Sequence, residues 1–333
     1  MVATWPDAIR RAASGPLETP PPFIQVDFAL CADPAGLPSF QLIELQAFPS
    51  ILATMYMVSS WQQAHFPLSR ARCTPAALPL ADVIPLVRDC ILAGHAEEEV
   101  ALLEVQPAQQ PTYHDLLAHQ HLFGIAIEDL ADVTHAEDLA RPASLRGRNP
   151  TARYRRLYNR VVFEEAEQHG LSLHLAELLS SGVSWASHPL WYFLVSKAVL
   201  PLLRHPSAPP ALLCTAPEAR ELDLSEWCLK PLYSFGGRGV QVVPAGSALR
   251  DLPAEERDHW LLQKRVQYAP LVQTPAGRRF VELRVMLMWK RGEPSPQVGL
   301  TFFRMNTEPR HNISQMLEPF TGGGMAWFQD EDS

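Results

Sequence analysis

The sequence predicts a mixed α/β protein joined to an antiparallel-rich α+β region. Three observations carry this: an apolar hairpin at residues 23–46, a strand–helix–glycine–strand pattern at 99–130, and a run of short strands separated by Gly/Pro turns over the last 120 or so residues. A length of 333 residues is ample for a buried core and corresponds to about two domains.

Taken in order, 23–30 (FIQVDFAL) and 40–46 (FQLIELQ) are apolar, β-branched runs, and the turn-rich ADPAGLPS between them makes them a hairpin. The apolar segment 51–61 reads as a helix, and the proline-bearing stretch 73–85 as a loop or boundary. Glu99–Val105 suits a buried strand, 112–123 has helical spacing and stops at Gly124, and IAIEDL follows as a second strand. That order predicts a βαβ unit with a small parallel sheet. Residues 151–169 read as an amphipathic helix ended by Gly170, and 189–204 as another. Strands are expected at 226–232, 239–243, 260–267, 280–290 and 297–305, and Asp330-Glu331-Asp332 as a frayed acidic tail.

The composition excludes several classes. Apolar residues at 47% and charged residues at 19% are those of a globular chain, and a formal charge of −8 argues against a protein that coats nucleic acid. Five widely spaced cysteines without a C-x-x-C pair give neither a disulfide framework nor a zinc knuckle. The N-terminus lacks the apolar core of a secretion signal, and the most apolar stretch, 189–203, is short of the roughly 20 residues a spanning helix needs. A cytoplasmic protein without membrane or nucleic-acid partners is expected. The basic residues are four lysines (Lys197, Lys230, Lys264, Lys290) among twenty-four arginines. Codon bias accounts for the arginines, yet it makes each lysine worth locating.

The sharpest local feature is WCLKPLYSFGGRGV at 227–240. A strand ending in Lys230 is followed by Gly236, Gly237 and Gly239, and then by apolar residues. Glycines let backbone N–H groups approach a phosphate, and a neighbouring lysine adds a point charge. The competing reading is an ordinary hairpin with an edge lysine. At 259–266 an apolar strand turns polar at Gln263 and Lys264, before Val266. Such strand ends can meet an adenine edge, although a plain edge strand with polar ends is the better reading of the piece alone. In FVELRVMLMW, Glu282 and Arg284 share a face. Arg304, Asn312 and a Gly322-Gly323-Gly324 turn follow. At the other end, Asp27 and Glu44-Leu-Gln46 put two carboxylates and an amide oxygen on hairpin partners, the hard donors that Mg²⁺ on phosphates requires. Glu44 and Gln46 interrupt an apolar run, where unpaired polar groups are costly.

Taken from 226 to 333 and then from 23 to 50, these features resemble the ATP-grasp superfamily. The order is a Lys-Pro strand, a Gly-rich loop, a Gln hinge strand, an acidic-x-Arg strand, an Arg and an Asn before a Gly-rich turn, and an Asp strand paired with a Glu-x-Asn-like strand before Pro49. Because the last pair stands at the N-terminus, the arrangement is similar to the circularly permuted branch that includes glutathionylspermidine synthase-like proteins. The resemblance implies a circularly permuted ATP-grasp with a small Rossmann-like layer around 99–130. It divides the chain at 1–60 (metal-ligand strands), 61–210 (Rossmann-like and helical) and 211–333 (nucleotide-binding).

It also implies ATP and Mg²⁺ as cofactors. The reaction would turn a small-molecule or peptide carboxylate into an acyl phosphate, which an amine substrate then attacks. Lys230 and the amides of Gly236, Gly237 and Gly239 would hold phosphates, and Lys197 resembles the nucleotide-site lysine that often precedes this subdomain. Gln263, Lys264 and Val266 would frame adenine, Asn312 would complete the nucleotide site, and Glu282 would be either a ribose contact or a structural partner of Arg284. Asp27, Glu44 and Gln46 would hold Mg²⁺, and Arg284 and Arg304 would stabilise transfer. Gln46 departs from the family's Asn by one methylene. Two alternatives stand beside this reading: the same fold as a nucleotide-binding or regulatory protein without turnover, and an α/β interaction protein with no nucleotide site.

Other clusters carry less. His114, His119 and His121 do not share a helix face, which speaks against zinc. Seven arginines between Arg141 and Arg160 (141, 146, 148, 153, 155, 156, 160) read as a solvated helix with internal ion pairs. Trp185, Trp191, Tyr192 and Phe193 read as core.

Overall fold

In the computed structural model, residues 17, 20–48, 50–68, 71–76, 78–136, 144–234, 237–309 and 318–329 are described. Gly236, Asn312, Pro49 and the acidic tail lie outside them.

The strands used below are β1 (Phe23–Ala32), β2 (Pro38–Gln46), β3 (Val100–Glu104), β4 (Ala126–Asp129), β5 (Arg156–Asn159), β6 (Ser184–Ala186), β7 (Ala211–Leu213), β8 (Trp227–Pro231), β9 (Trp260–Lys264), β10 (Val272–Thr274), β11 (Gly277–Met288), β12 (Gln297–Asn306) and β13 (Gly322–Met325). The main helices are α1 (Leu52–His65), α2 (Leu80–Leu92), α3 (Tyr113–Phe123), α4 (Phe163–Gln168) and α5 (Ser172–Leu179).

Residues from both ends of the chain build one antiparallel sheet, ordered β13-β12-β11-β1-β2, with β10 beside β11. The β1–β2 turn forms because Asp33 Oδ1 accepts from the amides of Ala35 (2.9 Å) and Leu37 (2.8 Å). Gly36 supplies the left-handed φ of 81° that the turn needs. A bulge then breaks the register: Phe28 faces Leu42 while Asp27 faces Glu44, so Ile43 is the extra residue.

A second sheet, β4-β3-β5-β6, is wholly parallel. Its β3–α3–β4 unit is the expected βαβ crossover, with α3 ended by Gly124 at φ 70°. Its strand β3, VALLE, is buried on both faces and so reads as a nearly continuous apolar run. A third, small sheet, β7-β9-β8, packs on the β2 edge of the first. Two apolar clusters flank the parallel sheet. One gathers Leu103, Leu157, Phe163, Trp185 and Phe193, and the other joins Phe23, Val87, Leu102 and Met286 across to the large sheet.

Four expectations are corrected. The stretch read as a loop to residue 85 holds the start of α2, with Pro85 inside it. Val83, Leu86, Val87, Cys90 and Ile91 recur at helical spacing and are buried, and that burial outweighs the hydrogen bond lost at proline. The amphipathic helix at 151–169 is instead strand β5 followed by the short α4. Arg156 and Arg160 are buried rather than solvated. Arg156 Nε and Nη2 donate to the Ile91 and Cys90 carbonyls at 2.6 and 3.2 Å, satisfying the free C-terminus of α2.

The helix expected at 189–204 splits into Trp191–Leu194 and a 3-10 turn, Lys197–Leu202. Ser196 Oγ caps Ala198 N, and Pro201 lies within the turn. Residues 239–243 form only a single bridge, Leu229 to Gln241. Among the described residues no helix is long and apolar enough to cross a membrane.

Candidate functional site

Register decides which charges meet. Asp27 on β1 stands between Arg284 on β11 and Glu44 on β2, and Glu282 on β11 stands opposite Arg304 on β12. Arg284 donates through Nε to Asp27 Oδ1 at 2.9 Å and through Nη2 to Oδ2 at 2.8 Å. Arg304 Nη2 adds a third bond to Oδ2 at 3.0 Å and pairs with Glu282 at 2.7 Å. Arg284 Nη1 also reaches Ser50 Oγ at 3.0 Å, and Tyr268 donates its phenol proton to Glu282. With its amide oxygen turned inward, Gln25 accepts from Arg284 Nη2 at 3.0 Å and from Gln46 Nε2 at 2.6 Å. Glu282 and Arg284, neighbours on one strand face, therefore bond to different strands.

Burial by itself would raise the Asp27 carboxyl, but the Arg284 and Arg304 guanidiniums outweigh it and hold the group below the usual carboxylate range. Glu282 goes the other way: burial pushes it up, and Arg304 offsets this only in part.

A second group lies where the small sheet meets β2. Lys230, on β8, is buried. Its ammonium donates to the Gln263 side chain and, at 3.4 Å, to the carbonyl of the bulge residue Ile43. Gln263 Nε2 donates to the Leu42 carbonyl at 3.2 Å. Burial pulls the Lys230 ammonium down, against the attraction of Glu44. Lys197, at the start of its 3-10 turn, stands 3.3 Å from Glu44 Oε2 and donates to the Ser234 carbonyl. A small cleft opens here, lined by Glu44, Gln46, Tyr192, Lys197, Tyr233 and Ser234. Tyr192 ties it to the parallel-sheet layer through a 2.6 Å bond to Glu164 Oε1, while Glu164 Oε2 is buried without a partner.

The structure thus brings Asp27, Glu44, Gln46, Glu282, Arg284 and Arg304 onto one sheet, and Lys197, Lys230 and Gln263 against its β2 edge. Lys264 does not join them: it alternates to the other face of β9, pairs with Glu226 and lies over the Trp227 ring at 5.9 Å. Val266 is half-buried on the chain leaving β9. Gly237 and Gly239 both take left-handed φ, 73° and 72°. A Cβ at Gly239 would meet Pro231 Cγ at 2.8 Å, so this glycine also serves close packing. Sequence reasoning missed Gln25, Ser50, Tyr192, Glu164 and Tyr268. Only Gln25 carried a signal, lying two residues before Asp27 on the same strand face.

The donor set expected for Mg²⁺ does not fit a preformed metal site. Both Asp27 oxygens are taken by guanidinium donors and Glu44 Oε2 is paired with Lys197; Gln46 gives its nitrogen to Gln25 and keeps its oxygen. Among the described residues no group of three His, Cys, Asp or Glu side chains is placed to hold a metal ion. His119 is buried against Asp115, while His114 and His121 are exposed.

No protein-family model and no curated protein sequence matches the chain. Among solved structures, it is similar to a glutathione synthetase-like effector from Globodera pallida in its apo form. The TM-score is 0.51 at 10% identity, covering 86% of this chain and 74% of that one. This likeness shows a glutathione synthetase-like mixed α/β fold.

Proposed function

We propose that the protein is an ATP-dependent carboxylate–amine ligase of the ATP-grasp type in circularly permuted order. The observation that carries this is the joining of residues 23–46 and 277–325 in one antiparallel sheet. Its charged face meets two buried lysines, Lys230 of the small sheet and Lys197 of the 3-10 turn. The fold likeness to a glutathione synthetase-like protein supports it.

MgATP is the nucleotide substrate. Lys230 and Lys197 are the cations nearest the cleft and would take phosphate oxygens in place of Gln263 and Ser234. The Gly237–Gly239 backbone would cover the phosphates. An oxygen of the substrate carboxylate attacks the γ-phosphorus, ADP leaves, and an acyl phosphate forms. The amine then attacks the acyl carbon, phosphate departs, and the amine gives up its proton. Arg284 and Arg304, fixed before substrate arrives, would stabilise the charge on the phosphoryl group in transfer. The substrates would be small-molecule or peptide carboxylates and amines met in the cytoplasm.

Thermal denaturation with and without MgATP tests the reading. A ligand at 100 times its Kd adds about 2.7 kcal/mol, and no shift at millimolar nucleotide sinks it. ADP and phosphate release with amino acids, peptides and amines then separates turnover from binding. A second reading, a nucleotide-binding protein without turnover, is favoured by one observation: both Asp27 oxygens are engaged by arginines. ATP stabilisation without any substrate-stimulated ADP release would select it.

A further inference from the structure

Asp27 is 1% exposed on β1, between β11 and β2 of the large sheet, and its two oxygens accept three guanidinium bonds. Such charge-assisted, bidentate bonds are short and directional. Each neighbouring group reinforces the same arrangement. Glu282 holds Arg304 from the far side, Ser50 and Gln25 hold Arg284, and Gln46 is tied to Gln25. Arg304 Nε is buried and has no partner, so this guanidinium retains an unmet donor. A divalent cation on Asp27 would have to displace two guanidiniums and then sit beside them. Mg²⁺ also demands close to octahedral geometry at about 2.0–2.1 Å. An anion need displace neither guanidinium, although it must share them with Asp27 and Glu282.

We propose that Asp27 is a positioning residue that clamps Arg284 and Arg304 into a fixed pair for one oxyanion, phosphate or carboxylate, and that no divalent cation binds its carboxylate. This departs from the metal role that the ATP-grasp resemblance implies for Asp27. It rests on the ligase reading only for the identity of the anion, and two planar guanidiniums held in one geometry can each offer paired donors to two oxygens of either. Locking them beforehand removes the ordering cost from binding.

The test uses the full chain and two probes. Mn²⁺ is counted by electron paramagnetic resonance with a non-hydrolysable ATP analogue, for the wild type and Asp27→Asn. Equal counts are expected, including zero in both, whereas a Mn²⁺ lost on Asp27→Asn overturns the proposal. Tripolyphosphate affinity is then measured in EDTA across the cycle Asp27→Asn, Arg304→Gln and the double variant. The expected result is that Asp27→Asn weakens binding about tenfold alone but adds little once Arg304 is replaced.

Additive effects, or no binding by the wild type at millimolar tripolyphosphate, refute it. If Asp27→Asn does not fold, anomalous scattering from Mn²⁺-soaked wild-type crystals decides, because a peak on Asp27 overturns the clamp and its absence there supports it. A wild type that binds tripolyphosphate yet shows no thermal shift with MgATP would sink the ligase reading and leave the clamp standing.

Discussion

Asp115 and Arg160 form an ion pair of 2.9 Å between α3 and the end of β5, with side chains 0% and 2% exposed. Asp115 also accepts from the Thr54 amide of α1 at 2.9 Å, so one carboxylate joins two helices and the parallel sheet. His119 lies beside it with Nδ1 on the Asp115 carbonyl at 2.7 Å, and Phe48 covers the Arg160 guanidinium at 5.8 Å. Removing one partner strands the other as a buried charge. Arg160→Met is expected to cost about 3–5 kcal/mol, and Arg160→Met with Asp115→Leu distinctly less. Urea denaturation of the singles and the double measures this.

The same pair and the Asp27 clamp set the acid limit. Burial opposes ionisation of both carboxyls, but His119 and Arg160 beside Asp115, and Arg284 and Arg304 beside Asp27, hold them below their ordinary value. A carboxyl depressed on folding contributes stability above its unfolded pKa and loses it as pH falls through the folded one. Stability should therefore drop steeply below about pH 4. In Asp27→Asn the acid limb should be shallower, with a lower plateau at neutral pH, as read from denaturation midpoints between pH 2 and 7.

Glu104, last residue of β3, behaves oppositely. Burial pushes its carboxyl up to about 8, only partly countered by Arg160. The folded state then keeps a proton that the unfolded chain releases, so stability contributed at low pH declines as pH rises from about 4.5 towards 8. Glu104→Gln, which preserves an oxygen for the Val105 amide, is expected to remove that decline. It should be about neutral at pH 5 and stabilising by about 1–3 kcal/mol at pH 8. Melting temperatures of the two proteins across this range check it.

The lysines should divide by position. Lys230→Ala, at the buried junction of β8 with β2, is expected to abolish the MgATP-dependent thermal shift. Lys264→Ala, on the opposite face of β9 and paired with Glu226, should leave it unchanged. Equal loss in both would place the nucleotide elsewhere.

Gly239 tests the loop. Its φ of 72° and the 2.8 Å approach to Pro231 make Gly239→Ala costly twice over, through left-handed strain and through collision with the ring. About 1–3 kcal/mol of destabilisation is expected. Gly237→Ala has the strain but open space around its Cβ, and should cost less. Chemical denaturation ranks the two.

Local order fixed much of the fold in advance. The hairpin at 23–46 announced itself by β-branched runs around an Asp-Pro-Ala-Gly turn, and β3–α3–β4 by the change of period at Gly124. β11 was legible in the alternation around Glu282 and Arg284. These signals are local, because a turn or a half-buried strand is specified by adjacent residues. Tertiary structure alone decided three things. β5 is a strand because Leu157 and Tyr158 are buried between layers and Arg156 finds the end of α2, partners 65 residues away in sequence. Pro85 stays helical because its neighbours are buried. Asp27 faces two arginines because the registers of β1 on β11 and of β11 on β12 bring them to it, while the Ile43 bulge on β2 sets Glu44 opposite it. Sequence named the carboxylates and arginines of the charged site, but which charge each one meets depends on pairing between distant strands, and no local pattern encodes that.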